Sequence, residues 1–153
     1  MATKTISVNR QAFHDFSIVE KFEAGIALTG TEIKSIREGK VNLRESYAKV
    51  DGYQVWLQNA HIARYDPGNR YNHDPLRPRR LLLHKDEIRK LKQEVEKKGL
   101  TIVPLQLYIK GRVAKVELGL ARGKKQYDKR ESIARRDVER DVERELAGGA
   151  KGR

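Results

Sequence analysis

The spacing of apolar residues changes period several times along the chain, and each change marks an expected element. Met1–Val8 is polar and expected to be loose. Asn9 is a good N-cap for a short helix through Phe16, with Ala12, Phe13 and Phe16 on one side. From Ser17 to Leu28 the period drops to two. Ile18, Phe22, Ala24, Ile26 and Leu28 then share one face, opposite Val19, Lys21, Glu23 and Ala27. Gly25 in that run suggests a bulge or sharp bend. Thr29-Gly-Thr-Glu32 has capping-box spacing, with Ile33 and Ile36 behind it and Gly39 as a stop, so a short helix is expected at 30–38.

Two strands, Tyr47–Val50 and Tyr53–Gln58, flank Asp51-Gly52, a strong hairpin signal. Trp56, the only tryptophan, is expected in the core or at a rim rather than stacked on a base. Arg64–Arg80 has three prolines, five arginines and two tyrosines without periodicity, and reads as a mobile loop. Arginines interleaved with tyrosines suit RNA, but a plain polar surface loop has the same composition. Leu81–Leu83 reads as a short buried strand. Lys85–Lys98 is the clearest helix: Ile88, Leu91 and Val95 form its apolar stripe, Asp86 and Glu87 open it, and Lys97-Lys98-Gly99 closes it. Leu100–Ile109 and Arg112–Leu120 form a second hairpin around Lys110-Gly111, and Pro104 argues for an edge position. The fold class is therefore mainly β with short α-helices. It is expected to be a small antiparallel β-barrel of oligonucleotide-binding type, with about six strands, three helices and a C-terminal tail. An unrelated α+β sandwich fits the same pattern.

Charge then narrows the partner. The 153 residues carry 33 Lys+Arg against 21 Asp+Glu, a net charge of +12, which favours a polyanion. A membrane partner is disfavoured: no apolar run approaches the roughly 18–20 residues of a spanning helix, and no basic helix has a broad aromatic face. MATKTISVNRQ has no apolar core of the secretory kind, and cysteine is absent, so a cytoplasmic protein is expected. His14, His61, His73 and His84 are scattered without metal-ligand spacing, and no nucleophile elbow or P-loop is present. No catalytic residue, metal or cofactor is expected. A metal-dependent nuclease is the rival from another class.

The charge is concentrated at the end. Arg122–Arg136 holds seven Lys/Arg against two acids, and a run of this kind needs an anion or solvent. The division expected is 1–121 as an RNA-binding domain and 122–153 as a basic tail, disordered when free and helical once a partner supplies the other surface. On the folded part, Glu23 lies on the polar face of the first long strand. It is either an acceptor for base amino groups or a 2′-OH, or a cross-strand partner for a lysine.

FEAGIALTGTEIKSIREGKVNL, the LLLH junction and GLARGKKQYDKR, in this order and spacing, resemble the small protein B family, which binds tmRNA in bacterial trans-translation. The resemblance runs from about Asn9 through the charged tail. It implies an oligonucleotide-binding-type barrel that grips the tRNA-like domain of tmRNA, as a monomer on the RNA, and enters the vacant A site of a stalled ribosome. It implies an RNA-binding face that includes Asn9, Glu23, Leu82 and His84. It also implies tail contacts with the decoding centre and mRNA channel from Lys124, Lys125, Tyr127, Asp128, Lys129 and Arg130, with Ile133 seating the tail helix. Two positions depart from the commoner pattern: His84 stands where asparagine usually precedes the third helix, and Tyr127 where many members have histidine. A general structured-RNA-binding or ribosome-associated factor is the alternative within the binding class.

Overall fold

The structure is a computed structural model that describes residues 3–65 and 72–123. Within the compact unit Met1–Gly123 the order is β1 (Thr3–Val8), α1 (Arg10–Asp15), β2 (Phe16–Ile26), α2 (Gly30–Arg37), β3 (Val41–Asn42), β4 (Tyr47–Asp51) and β5 (Gln54–Gln58). Then come β6 (His61–Ile62), β7 (Arg79–Leu82), α3 (Lys85–Lys98), β8 (Thr101–Lys110) and β9 (Val113–Gly123). Six strands close a ring in the order β8-β4-β5-β7-β2-β9, with β9 pairing back to β8. Every pairing is antiparallel. The mainly-β architecture with three short helices is thus present. Strands β3 and β6 form a separate small pair.

The local signals act where they were expected. Asp51-Gly52 and Lys110-Gly111 turn the two hairpins, each with its glycine at positive φ (63° and 66°). Thr29 caps α2 through a complete capping box with Glu32. α3 begins and ends where its stripe predicts, closed by left-handed Gly99. The interior of the ring is filled by Ala24, Val55, Leu57, Leu81, Ile102 and Leu118 with their neighbours, and Ile36 of α2 and Leu91 of α3 pack on it.

Five expectations are corrected. Thr3–Val8 is not loose: it pairs with the distal half of β8, whose proximal part meets β4 at Ile102. Phe13 is exposed rather than grouped with Ala12 and Phe16. The irregularity in β2 lies between Ile18 and Glu20, not at Gly25. The extra residue resets the alternation, so Ile18 joins a second cluster with Ala12, Val103, Leu105 and Ala121, while Phe22, Ala24 and Ile26 fill the ring. Pro104 is not on an edge strand. β8 is paired on both sides, and the proline is accommodated at a register shift between Pro104 and Gln106. Beside that shift Gly119 pairs with Val103, and a Cβ there would stand 3.0 Å from Leu105 Cδ1, so the leucine would have to give by a few tenths of an ångström.

The fifth correction concerns the arginine-rich segment, of which residues 66–71 lie outside the described residues. From Asn72 to Arg80 the chain is tied down. Glu32, fully buried, receives Arg77 Nη2 at 2.6 Å and Arg79 Nε at 2.7 Å. Arg79, also fully buried, donates through Nη1 to the Ala60 carbonyl at 2.7 Å. His73 Nε2 donates to the Ile62 carbonyl (2.9 Å), and its Nδ1 accepts from Thr31 Oγ1 (2.8 Å). The composition that reads as a mobile loop is, over this part, a segment ion-paired to α2 and hydrogen-bonded to the chain around β6.

Candidate nucleic-acid interface

The alternation that sends Ala24 and Ile26 inward sends Glu23 and Gly25 to the outer side of the ring. Gly25 pairs with Leu82 of β7 on one side and Lys115 of β9 on the other. Without a side chain at Gly25, Leu82 settles over the strand, its Cβ 3.3 Å from where a Cβ of residue 25 would sit. Leu82 is nevertheless half exposed, a large apolar group held at the surface beside a carboxylate. Two residues on, exposed His84 opens α3.

Glu23 is held by its neighbours. Tyr108, buried on β8, donates its hydroxyl to Glu23 Oε2, and Lys110 Nζ stands 3.8 Å from Oε1. The Tyr108 hydrogen bond, aided by the charges of Lys110 and Lys115 against a smaller desolvation effect, holds the carboxyl below its ordinary range. Burial, the hydrogen bond to Glu23 and the charges of Glu23 and Glu117 push the Tyr108 phenol up. The outcome is an ionised, partly exposed carboxylate held through Oε2 by Tyr108 and faced at Oε1 by Lys110. The expected lysine neighbour is therefore present, and the carboxylate has lone pairs beyond these two contacts.

At His84 the ring makes no cap hydrogen bond; instead the Glu87 carboxylate accepts from the His84 backbone N–H at 3.0 Å. A histidine at this N-cap leaves its imidazole outward rather than tied to the helix.

Asn9 is engaged within the fold. It is 4% exposed, accepts from the Ala12 N–H at 3.2 Å, and donates through Nδ2 to the Pro104 carbonyl at 2.9 Å. Its own N–H donates to the Leu105 carbonyl. It caps α1 and ties it to the irregular part of β8, a task its N-cap chemistry signals but its partners do not. Lys124, Lys125, Tyr127, Asp128, Lys129, Arg130 and Ile133 lie outside the described residues. Of the expected site residues, Glu23 and Leu82 thus lie on one outer side of the ring, with exposed His84 two residues beyond Leu82. Sequence reasoning missed Tyr108, which carries no local signal because its partner is on another strand. Among the described residues no three His, Asp or Glu side chains converge at metal-binding range, and no helix is long and apolar enough to cross a membrane.

Comparison with known proteins completes the picture. Residues 6–148 match the family model of the SmpB protein. The SsrA-binding protein of Carboxydothermus hydrogenoformans is 59% identical over 143 residues, which cover 94% of this chain and 96% of that protein. The SsrA-binding protein of Chloroflexus aggregans is 60% identical over 152 residues, covering 95% and 96%. A solved structure described as "tmRNA-SmpB: a journey to the center of the bacterial ribosome" matches with a TM-score of 0.67 and 50% identity, covering 83% of this chain and 93% of that one. On sequence along nearly its whole length and on fold, the chain belongs to the SmpB family.

Proposed function

We propose that this protein binds the tRNA-like domain of tmRNA and accompanies it, in the cytoplasm, to stalled ribosomes for trans-translation. The observation that carries the reading is the juxtaposition of Glu23 and Leu82 across Gly25 on one rigid outer surface of a chain of this family. Lysines and arginines attract phosphate but discriminate poorly. A carboxylate is repelled by phosphate, so its productive partners on RNA are base amino groups and 2′-hydroxyls. Tyr108 aims that carboxylate in advance, and Leu82 offers an apolar surface for a base or ribose. Asn9 contributes through the seating of α1, not by contact. The folded unit holds tmRNA, and the basic segment from Arg122 serves the ribosome, with Lys124, Lys125, Tyr127, Asp128, Lys129, Arg130 and Ile133 addressing the decoding centre and mRNA channel. The reading assigns the chain no bond-making step.

The test is binding of the full chain to the tRNA-like domain under excess bulk tRNA at two salt concentrations. Binding is expected to resist the competitor, and Glu23→Gln to weaken it about 10- to 100-fold without lowering the melting temperature. Alanine at Asp128, Lys129 and Arg130 together is expected to leave this binding nearly intact and abolish peptide tagging. Competitor-sensitive binding, or a Glu23→Gln variant that binds as wild type, would sink the assignment of specificity to this surface.

A further inference from the structure

Beyond Leu82 the outer surface continues into residues that the site above leaves without a task. On β7, Arg79 and Leu81 are buried, while Arg80 shares the outward side with Leu82. Across the ladder Arg80 stands opposite Trp56 of β5, and Trp56 opposite Lys49 of β4. The flanking Val55 and Leu57 are almost fully buried in the core, so Trp56 projects outward. This corrects the expectation of a core or rim tryptophan: it lies half-buried at mid-strand on the outer face. Three adjacent strands thus present cation, indole and cation in one row about 10 Å long. Lys49 and Arg80 are exposed, and neither forms an ion pair among the described residues. The next outward positions are neutral Tyr47 and Gln58 on one side, with Gln54 and Asp51 at the hairpin end on the other.

No acid stands within the row between the two cations, Asp51 lying at the hairpin end, and the indole is not turned inward as in a core. Guanidinium and ammonium groups spaced on neighbouring strands suit successive phosphates, and an indole between them suits a base taken out of its stack. The row is continuous with the Glu23–Leu82 surface through β7, where Arg80 and Leu82 face the same way. We infer that Arg80, Trp56 and Lys49 form a second contact row for the tRNA-like domain, the two cations on its backbone and an unstacked base against the indole. This rests on the reading that the domain binds at Glu23 and Leu82, and extends that footprint over β7, β5 and β4.

Because Trp56 is the only tryptophan of the chain, its emission reports on this row alone. The full chain is titrated with the tRNA-like domain RNA, without ribosomes, while affinity is followed independently by filter binding. The expected result is a change in Trp56 emission that saturates with the binding curve. Arg80→Ala and Lys49→Ala are each expected to weaken binding about 3- to 10-fold and to lower the slope of log K against log salt by roughly 0.7–0.9. Trp56→Phe, which keeps a ring, is expected to weaken it less than Trp56→Ala. Unchanged emission at saturation overturns the inference, and that measurement needs no variant to fold. An emission change that appears only with ribosomes, or equally with bulk tRNA, also overturns it. Wild-type affinity in the Arg80 and Lys49 variants while Glu23→Gln loses affinity removes the row and leaves the first surface standing. The converse result removes the first surface and keeps the row.

Discussion

Glu32 and Glu23 are the same side chain in consecutive elements of the fold, and their surroundings give them opposite tasks. Glu32 is fully enclosed: Arg77, Arg79 and the Thr29 N–H occupy its two oxygens. Burial by itself would raise its carboxyl. The hydrogen bonds from Arg77, the Thr29 backbone and Arg79, with the charge of Arg79, outweigh that effect and hold it down at about 2. Glu23 is hydrogen-bonded through one oxygen to Tyr108, has only the more distant Lys110 at the other, and remains partly exposed. A carboxylate whose acceptor sites are all taken organises the fold; one held but not saturated can recognise a ligand. What separates them is the number of donors that the tertiary structure delivers.

The largest effect should come from emptying one side of the buried cluster. Arg79→Met leaves Glu32 charged and short of a partner, and is expected to cost about 3–5 kcal/mol in denaturant unfolding. A loss below about 1 kcal/mol would break the comparison, because Glu32 would then not depend on its arginines. Acidification probes the same cluster. The folded carboxyl titrates at about 2 and the unfolded one near 4.5, so the stabilisation is complete above 4.5 and is lost as pH falls from there toward 2. A linkage of roughly 3 kcal/mol is expected over that window. Glu32→Gln should flatten the fall of unfolding midpoints between pH 5 and pH 3, and an equally steep fall in that variant would assign the acid limb to other groups.

The smaller effect sharpens the other half. Tyr108→Phe removes one hydroxyl and leaves the ring packed, so the melting temperature should scarcely move. Binding of the tRNA-like domain should weaken about 2- to 10-fold, because Glu23 must then be ordered during binding. Combined with Glu23→Gln it should add nothing further. Additive losses would mean that Tyr108 touches the RNA itself or acts elsewhere in the fold.

Much of this molecule is legible in the chain. The capping box at Thr29, the bounds of α3 and both hairpin turns follow from residues within a few positions of each other. The pairing of Glu32 with Arg77 and Arg79 was not legible, because a capping-box glutamate and arginines beside prolines each have an adequate local explanation. The inserted residue near Val19 was hidden as well. Strict alternation is the simplest reading of β2, and only pairing with β9 reveals that one residue is extra. The place of Trp56 is illegible for a related reason: an indole is usually buried, and its outward direction depends on which face of β5 the ring closes over.

By itself, then, the sequence determined the helices, the turns, the mainly-β class and the excess of positive charge. These rest on backbone preferences and side-chain periods that act over one or two turns of chain. Only the tertiary structure decided that one glutamate is walled in by arginines while another is aimed outward by a tyrosine. It likewise decided that Leu82 rides on Gly25 and that Arg80, Trp56 and Lys49 line up across three strands. Those facts are set by strand register and ring closure, where a shift of one residue turns every side chain to the opposite face.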